Sequence, residues 1–362
     1  MNENFLAELE KFKNMRESIC EEIKSYNLPV IIFGAGIMAK NVTDELKNFG
    51  IEISGYAVDE KYFTPNKIYL NRPIYNFAEL EKTPDKYIFI LGITDEFNEG
   101  KRALEFLQNK NITYYTMCDF FGYMDYEYIF EQRDKFTETF SMLADDFSKQ
   151  TMLAYLKIKL TGDVKYNFPV YVPNQYFNSL TTRGGAVYVD CGAFTGDTVE
   201  KFIAWNGDNY KKIFAIEADP NNFVELKKFI REKNYRDVET VNCGVWNEKT
   251  QLTFDSGNNT SSGISSEGNV TIAVDTIDNI VGESAVDFIK MDIEGAELNA
   301  LKGAIKTIEK NNTTLAICVY HKVEDLITIP QFIKNICGDY KFYLRKHLIS
   351  NDCELVLYAV KD

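Results

Sequence analysis

The stretch Ala186-Val-Tyr-Val-Asp-Cys-Gly-Ala-Phe-Thr-Gly-Asp-Thr198 decides the fold. It opens as an apolar run closed by Asp190, the pattern of a strand in a parallel sheet covered on both faces. Glycines follow at 192 and 196, where a side chain would keep the backbone from approaching a bulky ligand, and a helix starts after them. Strand, glycine turn and helix in that order open a nucleotide-binding α/β unit.

Reading outward, Lys212–Ile216 is the next strand and ends at Glu217, roughly twenty residues past the turn, where a carboxylate takes both hydroxyls of a ribose. Val238–Asn242 is the third strand, and Cys243–Asn247 after it forms a wall for an adenine. The fourth, Val286–Met291, ends in Asp292-Ile-Glu-Gly-Ala-Glu297, followed by a helix with Leu298, Leu301, Ile305 and Ile308 on one face. The fifth, Thr314–Tyr320, delivers His321 to the same edge. Lys341–Arg345 and Glu354–Val360 read as a terminal antiparallel hairpin, which favours a methyltransferase over a dehydrogenase. The spacing D-x-G-x-x-x-G fits S-adenosylmethionine better than a dinucleotide, with Asp190 beside the cationic methionyl group. The expected cofactor contacts are Asp190, Gly192, Ala193, Gly196, Thr198, Glu217, Ala218, Gly244, Val245 and Asp292.

The segment from about Gly184 to Asp362 resembles the FkbM family of S-adenosylmethionine-dependent methyltransferases. The resemblance rests on VDCGAFTGDT (189–198), FAIEADP (214–220), VNCGVWN (241–247), FIKMDIEGAEL (288–298), YHK (320–322) and LVLYAV (355–360), and covers about half the chain. It implies O-methylation of a hydroxyl on a carbohydrate, nucleotide sugar or related metabolite. His321 is the first candidate for the general base that such a hydroxyl needs. Asp292 has three open roles: orienting His321, acting as the base, or contacting the methionyl ammonium. Asp292, Glu294 and Glu297 offer the oxygen ligands a hard cation takes, but Glu294 and Glu297 equally suit the positive end of the following helix, and no metal is assigned. Tyr176 reads as core or as a side chain reaching the same pocket, and His347, beside Arg345, as exposed or in contact with substrate. The polar stretch Ser256–Gly268 reads as a surface excursion or a loop over the acceptor.

A second glycine turn stands nearer the N-terminus. Pro29–Phe33 is a strand, Gly34-Ala-Gly-Ile-Met-Ala39 is G-x-G-x-x-A, and Asp59 ends the next strand. Further strands at 53–58, 87–91 and 113–117 make a small parallel sheet. Its surroundings resemble the Rossmann-like domains attached to sugar-modifying transferases, which implies a nucleotide or nucleotide sugar as ligand; a structural or oligomerising role is the alternative. Asp59, with no arginine following it, favours NAD over NADP.

The chain therefore divides into a Rossmann-like domain at 1–124, a helical connector at 125–183 and a methyltransferase domain at 184–362. The fold class is α/β, two doubly wound sheets, the second a class I methyltransferase fold. The length of 362 residues suits two cores. The net charge of −14 argues against binding nucleic acid or an anionic membrane surface. No apolar run reaches membrane-spanning length and the N-terminus does not read as a signal peptide, so a cytoplasmic location is expected. Seven scattered cysteines form no C-x-x-C pair. The expected partner is a small-molecule or glycan acceptor, and a homo-oligomer is compatible with the sequence. Two other functions fit: an NAD-dependent oxidoreductase using the first glycine turn, and a non-catalytic sugar-nucleotide binding protein.

Overall fold

The computed structural model describes residues 2–93, 101–117, 124–181, 184–207, 209–256, 263–264 and 268–361. Two compact units emerge, one formed by residues 1–141, 146–173 and 346–354, the other by 142–145, 174–345 and 355–362.

The first unit begins with helices α1 (Asn2–Glu10) and α2 (Met15–Ser25) and continues with β1 (Val30–Phe33), α3 (Ile37–Asn48), β2 (Gly55–Val58), β3 (Ile68–Tyr69), β4 (Arg72–Asn76), α4 (Phe77–Leu80), β5 (Ile88–Leu91), α5 (Lys101–Leu107) and β6 (Tyr114–Thr116). The sheet order is β3-β4-β2-β1-β5-β6, parallel throughout except for the antiparallel β3–β4 pair. Every residue of β1 and β5 is buried, and α3 covers them with Met38, Ala39, Val42 and Leu46 at helical spacing. The expected parallel sheet is present; the β3–β4 hairpin, whose residues are mostly exposed, carries too little apolar alternation to be read from sequence.

The connector is not a separate body. Helices α6 (Tyr126–Glu131), α7 (Arg133–Met142) and α8 (Asp146–Thr161) follow β6, and α8 buries ten of its sixteen residues. Ile158 and Val164 belong to the same apolar cluster as β1 and β5, while the buried guanidinium of Arg16 in α2 donates to Lys159 O at 3.0 Å and to Glu45 at 2.7 Å. Residues 346–354 also close onto this unit. Lys159 Nζ donates to the Asp352 carboxylate, Asn167 Nδ2 to Ile349 O and Asn351 O at 3.1 and 2.8 Å, and His347 Nδ1 to Val172 O at 2.9 Å. His347 is thus buried rather than exposed.

The second unit is built on β7 (Ala186–Cys191), α9 (Asp197–Asn206), β8 (Tyr210–Glu217), α10 (Pro220–Glu232), β9 (Val238–Asn242), β10 (Gly244–Val245), β11 (Thr250–Asp255), β12 (Gly263–Ile264), β13 (Val270–Asp275), α11 (Ile277–Val281), β14 (Phe288–Met291), α12 (Glu297–Lys302), α13 (Ile305–Lys310), β15 (Thr314–Cys318), α14 (Asp325–Ile336), β16 (Lys341–Lys346) and β17 (Leu355–Val360). Its main sheet runs β16-β17-β15-β14-β7-β8-β9. The central strands are parallel, and β17 returns antiparallel beside β15, so the terminal hairpin is present with its last strand inside the sheet. This is the doubly wound α/β architecture of a class I methyltransferase fold.

A small sheet, β10-β13-β11-β12, stands apart from it. Strands β11 and β13 flank the polar stretch 256–268, of which 257–262 and 265–267 lie outside the described residues. Among the described residues, no helix is long and apolar enough to cross a membrane.

Candidate active site

Strand order in the main sheet reverses between β7 and β14: β8 and β9 continue to one side, β15 to the other. Such a reversal opens a crevice at the carboxyl ends of the strands. Asp190 and Asp292 are placed there, one inside the end of β7 and the other just beyond β14. The two behave differently.

Asp190 is fully buried. The β7–β14 register sets it opposite Lys290, whose ammonium lies 3.1 Å from Oδ1, and Thr198 donates its hydroxyl to Oδ2. Both oxygens of Asp190 thus have protein partners, Lys290 and Thr198, in addition to the methionyl group expected from the sequence. Lys290 in turn donates to Gly192 O at 2.7 Å and Cys191 O at 3.2 Å, fastening the glycine turn from beneath. Burial works against its charge, but Asp190 and Asp292 outweigh that and hold it protonated.

The glycine turn has packing reasons of its own. Gly192 has φ +79°, and a Cβ there would collide with Asp292 O; Gly196 has φ +100°, and a Cβ would come within 2.6 Å of the Phe229 ring on α10. Both glycines therefore allow close approach between protein segments, where the sequence suggested approach to a ligand. Ala193 is buried, its N–H, like that of Gly192, donating to Ile216 O at 3.0 Å.

Glu217, at the end of β8, accepts from Phe194 N–H and Asp219 N–H at 2.8 Å each. Burial pushes its carboxyl up to about 7, although these two backbone donors favour the charged form. Asp219 caps α10 by accepting from Asn221 and Asn222 N–H, with Pro220 in the first turn, which fixes Glu217 and Ala218 at the strand end. Gly244 and Val245 are buried, and a Cβ on Gly244 would lie 3.8 Å from that of Ala218.

Asp292 is the polar centre of the edge. Tyr176 OH donates to Oδ2 at 2.8 Å and Tyr320 OH to Oδ1 at 3.3 Å. Its side chain is 25% exposed, as is that of Glu294. Burial raises its pKa, but Lys290, His321 and Tyr176 together hold it below the usual carboxylate range. His321, only 2% exposed at its side chain, has Nδ1 2.8 Å from Glu297 Oε1, and Nε2 3.4 Å from Asp292 Oδ1 and 3.7 Å from Glu294 Oε2. Burial disfavours charge on the ring, yet these three carboxylates raise it to about 10. Asp325, also buried, is pushed up to about 7 by desolvation and by Glu297.

The structure therefore brings Tyr176, Asp292, Glu294, Glu297, Tyr320 and His321 together. Lys290 and Asp325 escaped the sequence reading. Lys290 had a signal, a lone cation in an otherwise apolar four-residue strand, which demands a buried anion beside it. In the first unit, Asp59 is gripped by Arg102, with Nε and Nη2 at 2.8 to 3.1 Å from its oxygens, so an arginine absent from the adjacent sequence arrives from α5.

The family model described as the methyltransferase FkbM domain matches residues 190–342. The fold is similar to the crystal structure of methyltransferase FkbM from Methylobacillus flagellatus KT, with 24% identity, 99% of each chain covered and a TM-score of 0.74. Partial likenesses include a SAM dependent methyltransferase from Aquifex aeolicus (15% identity, 60% of this chain and 100% of that one, TM-score 0.34). Another is Aeropyrum pernix fibrillarin with natively bound S-adenosyl-L-methionine (12% identity, 49% and 67%, TM-score 0.33). Curated proteins gave no match. Over residues 190–342 the chain is thus similar to the methyltransferase FkbM domain.

Proposed function

We propose that the chain is an S-adenosylmethionine-dependent O-methyltransferase whose acceptor is a hydroxyl of a carbohydrate, nucleotide sugar or related metabolite. The observation that carries this reading is the row of groups along one sheet edge, in which Glu217 and Asp292 flank the glycine turn at the point of strand reversal. The donor set suits the cofactor. Glu217 can accept two ribose hydroxyls in addition to its backbone donors, and Ala218, Gly244 and Val245 offer an apolar surface for a base. Bound there, the cofactor would supply an electrophilic methyl group.

What the chain itself contributes is position and charge. Lys290 and the two glycines fix the turn, and alignment of an acceptor oxygen with the methyl carbon can account for much of the rate. The acceptor's proton needs a base. His321 was the first candidate, but with three carboxylates around it the ring holds a proton at neutral pH and has no vacancy for another. Asp292 is ionised and partly exposed, and we assign the base role to it. Support for a hydroxyl acceptor comes from the family resemblance, while the net charge of −14 disfavours a nucleic-acid acceptor. The NAD-dependent alternative is weakened by Arg102, which occupies the Asp59 carboxylate that a ribose would use. A nucleotide-type ligand for the first unit remains part of the proposal, at the open space beside Gly36.

Titration calorimetry with S-adenosylhomocysteine, with NAD and UDP-sugars in parallel, tests the reading. Micromolar binding at one site supports it, and transfer of labelled methyl across a panel of nucleotide sugars and glycans then identifies the acceptor. Absence of S-adenosylhomocysteine binding overturns it.

A further inference from the structure

The segment 174–181 sends two consecutive aromatic rings to different places. The Phe177 ring lies 5.8 to 6.2 Å, centroid to centroid, from those of Tyr188, Phe202, Trp205 and Phe288, which anchors the segment in the core around β7, α9 and β14. Tyr176 takes φ +64°, a left-handed backbone that a bulky residue rarely adopts. Such strain persists only where the surroundings impose it, and it gathers at functional sites. Here the buried phenol of Tyr358 on β17 imposes it: its oxygen accepts from Tyr176 N–H at 2.9 Å and from Asn178 Nδ2 at 3.1 Å. The Tyr176 side chain is thereby carried, buried, to Asp292. Its hydroxyl has one proton, given to Asp292 Oδ2 at 2.8 Å, so toward Cys318 Sγ at 3.3 Å it acts as acceptor from the thiol. The other carboxylate oxygen is held less closely, with Tyr320 OH at 3.3 Å and His321 Nε2 at 3.4 Å from Oδ1.

We propose that Tyr176 is a positioning residue for methyl transfer: it fixes the Asp292 carboxylate through Oδ2 and leaves Oδ1 to receive the acceptor's proton. This deepens the methyltransferase reading and rests on it. In the step that Tyr176 serves, the hydroxyl proton passes to Oδ1. The electron pair of the O–H bond stays on the acceptor oxygen and bonds the methyl carbon, and the thioether leaves with the carbon–sulfur pair. Tyr176 acts through Asp292 and exchanges no proton with the acceptor. Its hydrogen bond favours the ionised carboxyl, which keeps Oδ1 able to take a proton. The residue precedes the stretch 190–342 that matches the methyltransferase FkbM domain, so none of the motifs within that stretch contains it.

The test uses the untagged full chain and Tyr176→Phe, which keeps the ring and removes only the hydroxyl. Tyr358→Phe, which takes away the oxygen that anchors the Tyr176 backbone, is the second variant should the first not fold, and circular dichroism checks both. One readout needs no acceptor. The chain has two histidines, His321 and His347, so in histidine-labelled protein the ring resonances of His321 report on the carboxylate 3.4 Å away. Those of His321 are expected to shift in the variant while those of His347 stay. The second readout is methyl transfer to whichever acceptor the labelled-methyl panel identifies. We expect kcat to fall about 10- to 100-fold, with KM for the acceptor and S-adenosylhomocysteine affinity within about threefold of wild type. The acid limb of the kcat profile should move up in pH, because the ionised carboxyl has lost a donor. Unmoved His321 resonances, or an unchanged kcat and acid limb in a folded variant, overturn the proposal. So does a variant that loses S-adenosylhomocysteine affinity and kcat in equal measure, since Tyr176 would then only support the fold. A wild-type chain that binds no S-adenosylhomocysteine fails the methyltransferase reading instead, and the labelled resonances still decide whether Tyr176 sets the Asp292 carboxylate.

Discussion

At the scale of single residues, Glu217 carries the clearest consequences. If its carboxylate accepts the ribose hydroxyls, Glu217→Ala weakens S-adenosylhomocysteine binding by more than tenfold in calorimetry; an unchanged affinity removes the assignment. Its pKa gives a second, independent readout. The folded value, about 7, lies above the unfolded value near 4.5, because burial favours the neutral form. The stability it contributes is therefore present below about pH 4.5 and is lost as pH rises through 7. Accepting hydroxyls calls for the carboxylate, so cofactor product binding should run the other way. Affinity is expected to rise several-fold from pH 6 to pH 8 in the wild type and to stay flat in Glu217→Gln, with the same calorimetric titration as the check. The neighbouring histidine shows why residue type alone misleads. A histidine at a strand end reads as a base near neutrality, but Glu294 and Glu297, arriving from the turn after β14 and the first residue of α12, change its charge state. Which nitrogen meets which carboxylate depends on that turn's path, and sequence spacing does not specify it.

At the scale of elements, β7 and β14 form one electrostatic device. Their register sets Asp190 against Lys290, and Lys290 reaches on to the carbonyls of the glycine turn. Removing one partner of a buried pair strands the other charge, at a typical cost of about 3–5 kcal/mol. Lys290→Met is expected to lose stability of that order in urea unfolding and to loosen S-adenosylhomocysteine binding as the turn is released. Asp190→Asn combined with Lys290→Met should recover part of the stability but not the affinity. Equal losses in the single and double variants would show that the pair does not couple. The strands themselves were legible, since an apolar run ending in an acid marks β7, β8 and β14. The functions of Gly192 and Gly196 were not: each meets a segment distant in sequence, the chain at Asp292 and the ring of Phe229, and only the tertiary path reveals that.

At the scale of the whole molecule, the boundaries drawn from motifs and those drawn by packing differ for a physical reason. Glycine turns and strand runs locate where a sheet begins, which is why both α/β units were visible from Gly34 and Gly192 outward. They do not record which core an intervening helix joins. Helix α8 reads as a connector, yet its buried face supplies Ile158 to the first unit's apolar cluster, and its Lys159 is buried against Asp352 from a segment nearly two hundred residues later. The second unit likewise takes residues from outside its motif-defined limits: Ala144 N–H donates to Phe342 O at 2.8 Å, Arg345 pairs with Asp145 at 2.7 Å, and Tyr176 holds Asp292. A fragment cut at 184–362 would contain every sequence motif of the methyltransferase domain but lose all three. It would also expose residues 346–354, leaving Asp352 without Lys159, and Ile349 O and Asn351 O without Asn167. Buried polar groups deprived of partners cost about 1–3 kcal/mol each, and together these losses approach the whole stability of a domain. The fragment 184–362 is therefore expected to be insoluble, or to melt far below the full chain without binding S-adenosylhomocysteine. A fragment that melts cooperatively at the full-chain temperature and binds with full-chain affinity would show that these contacts are dispensable, and that the motifs alone mark an autonomous domain.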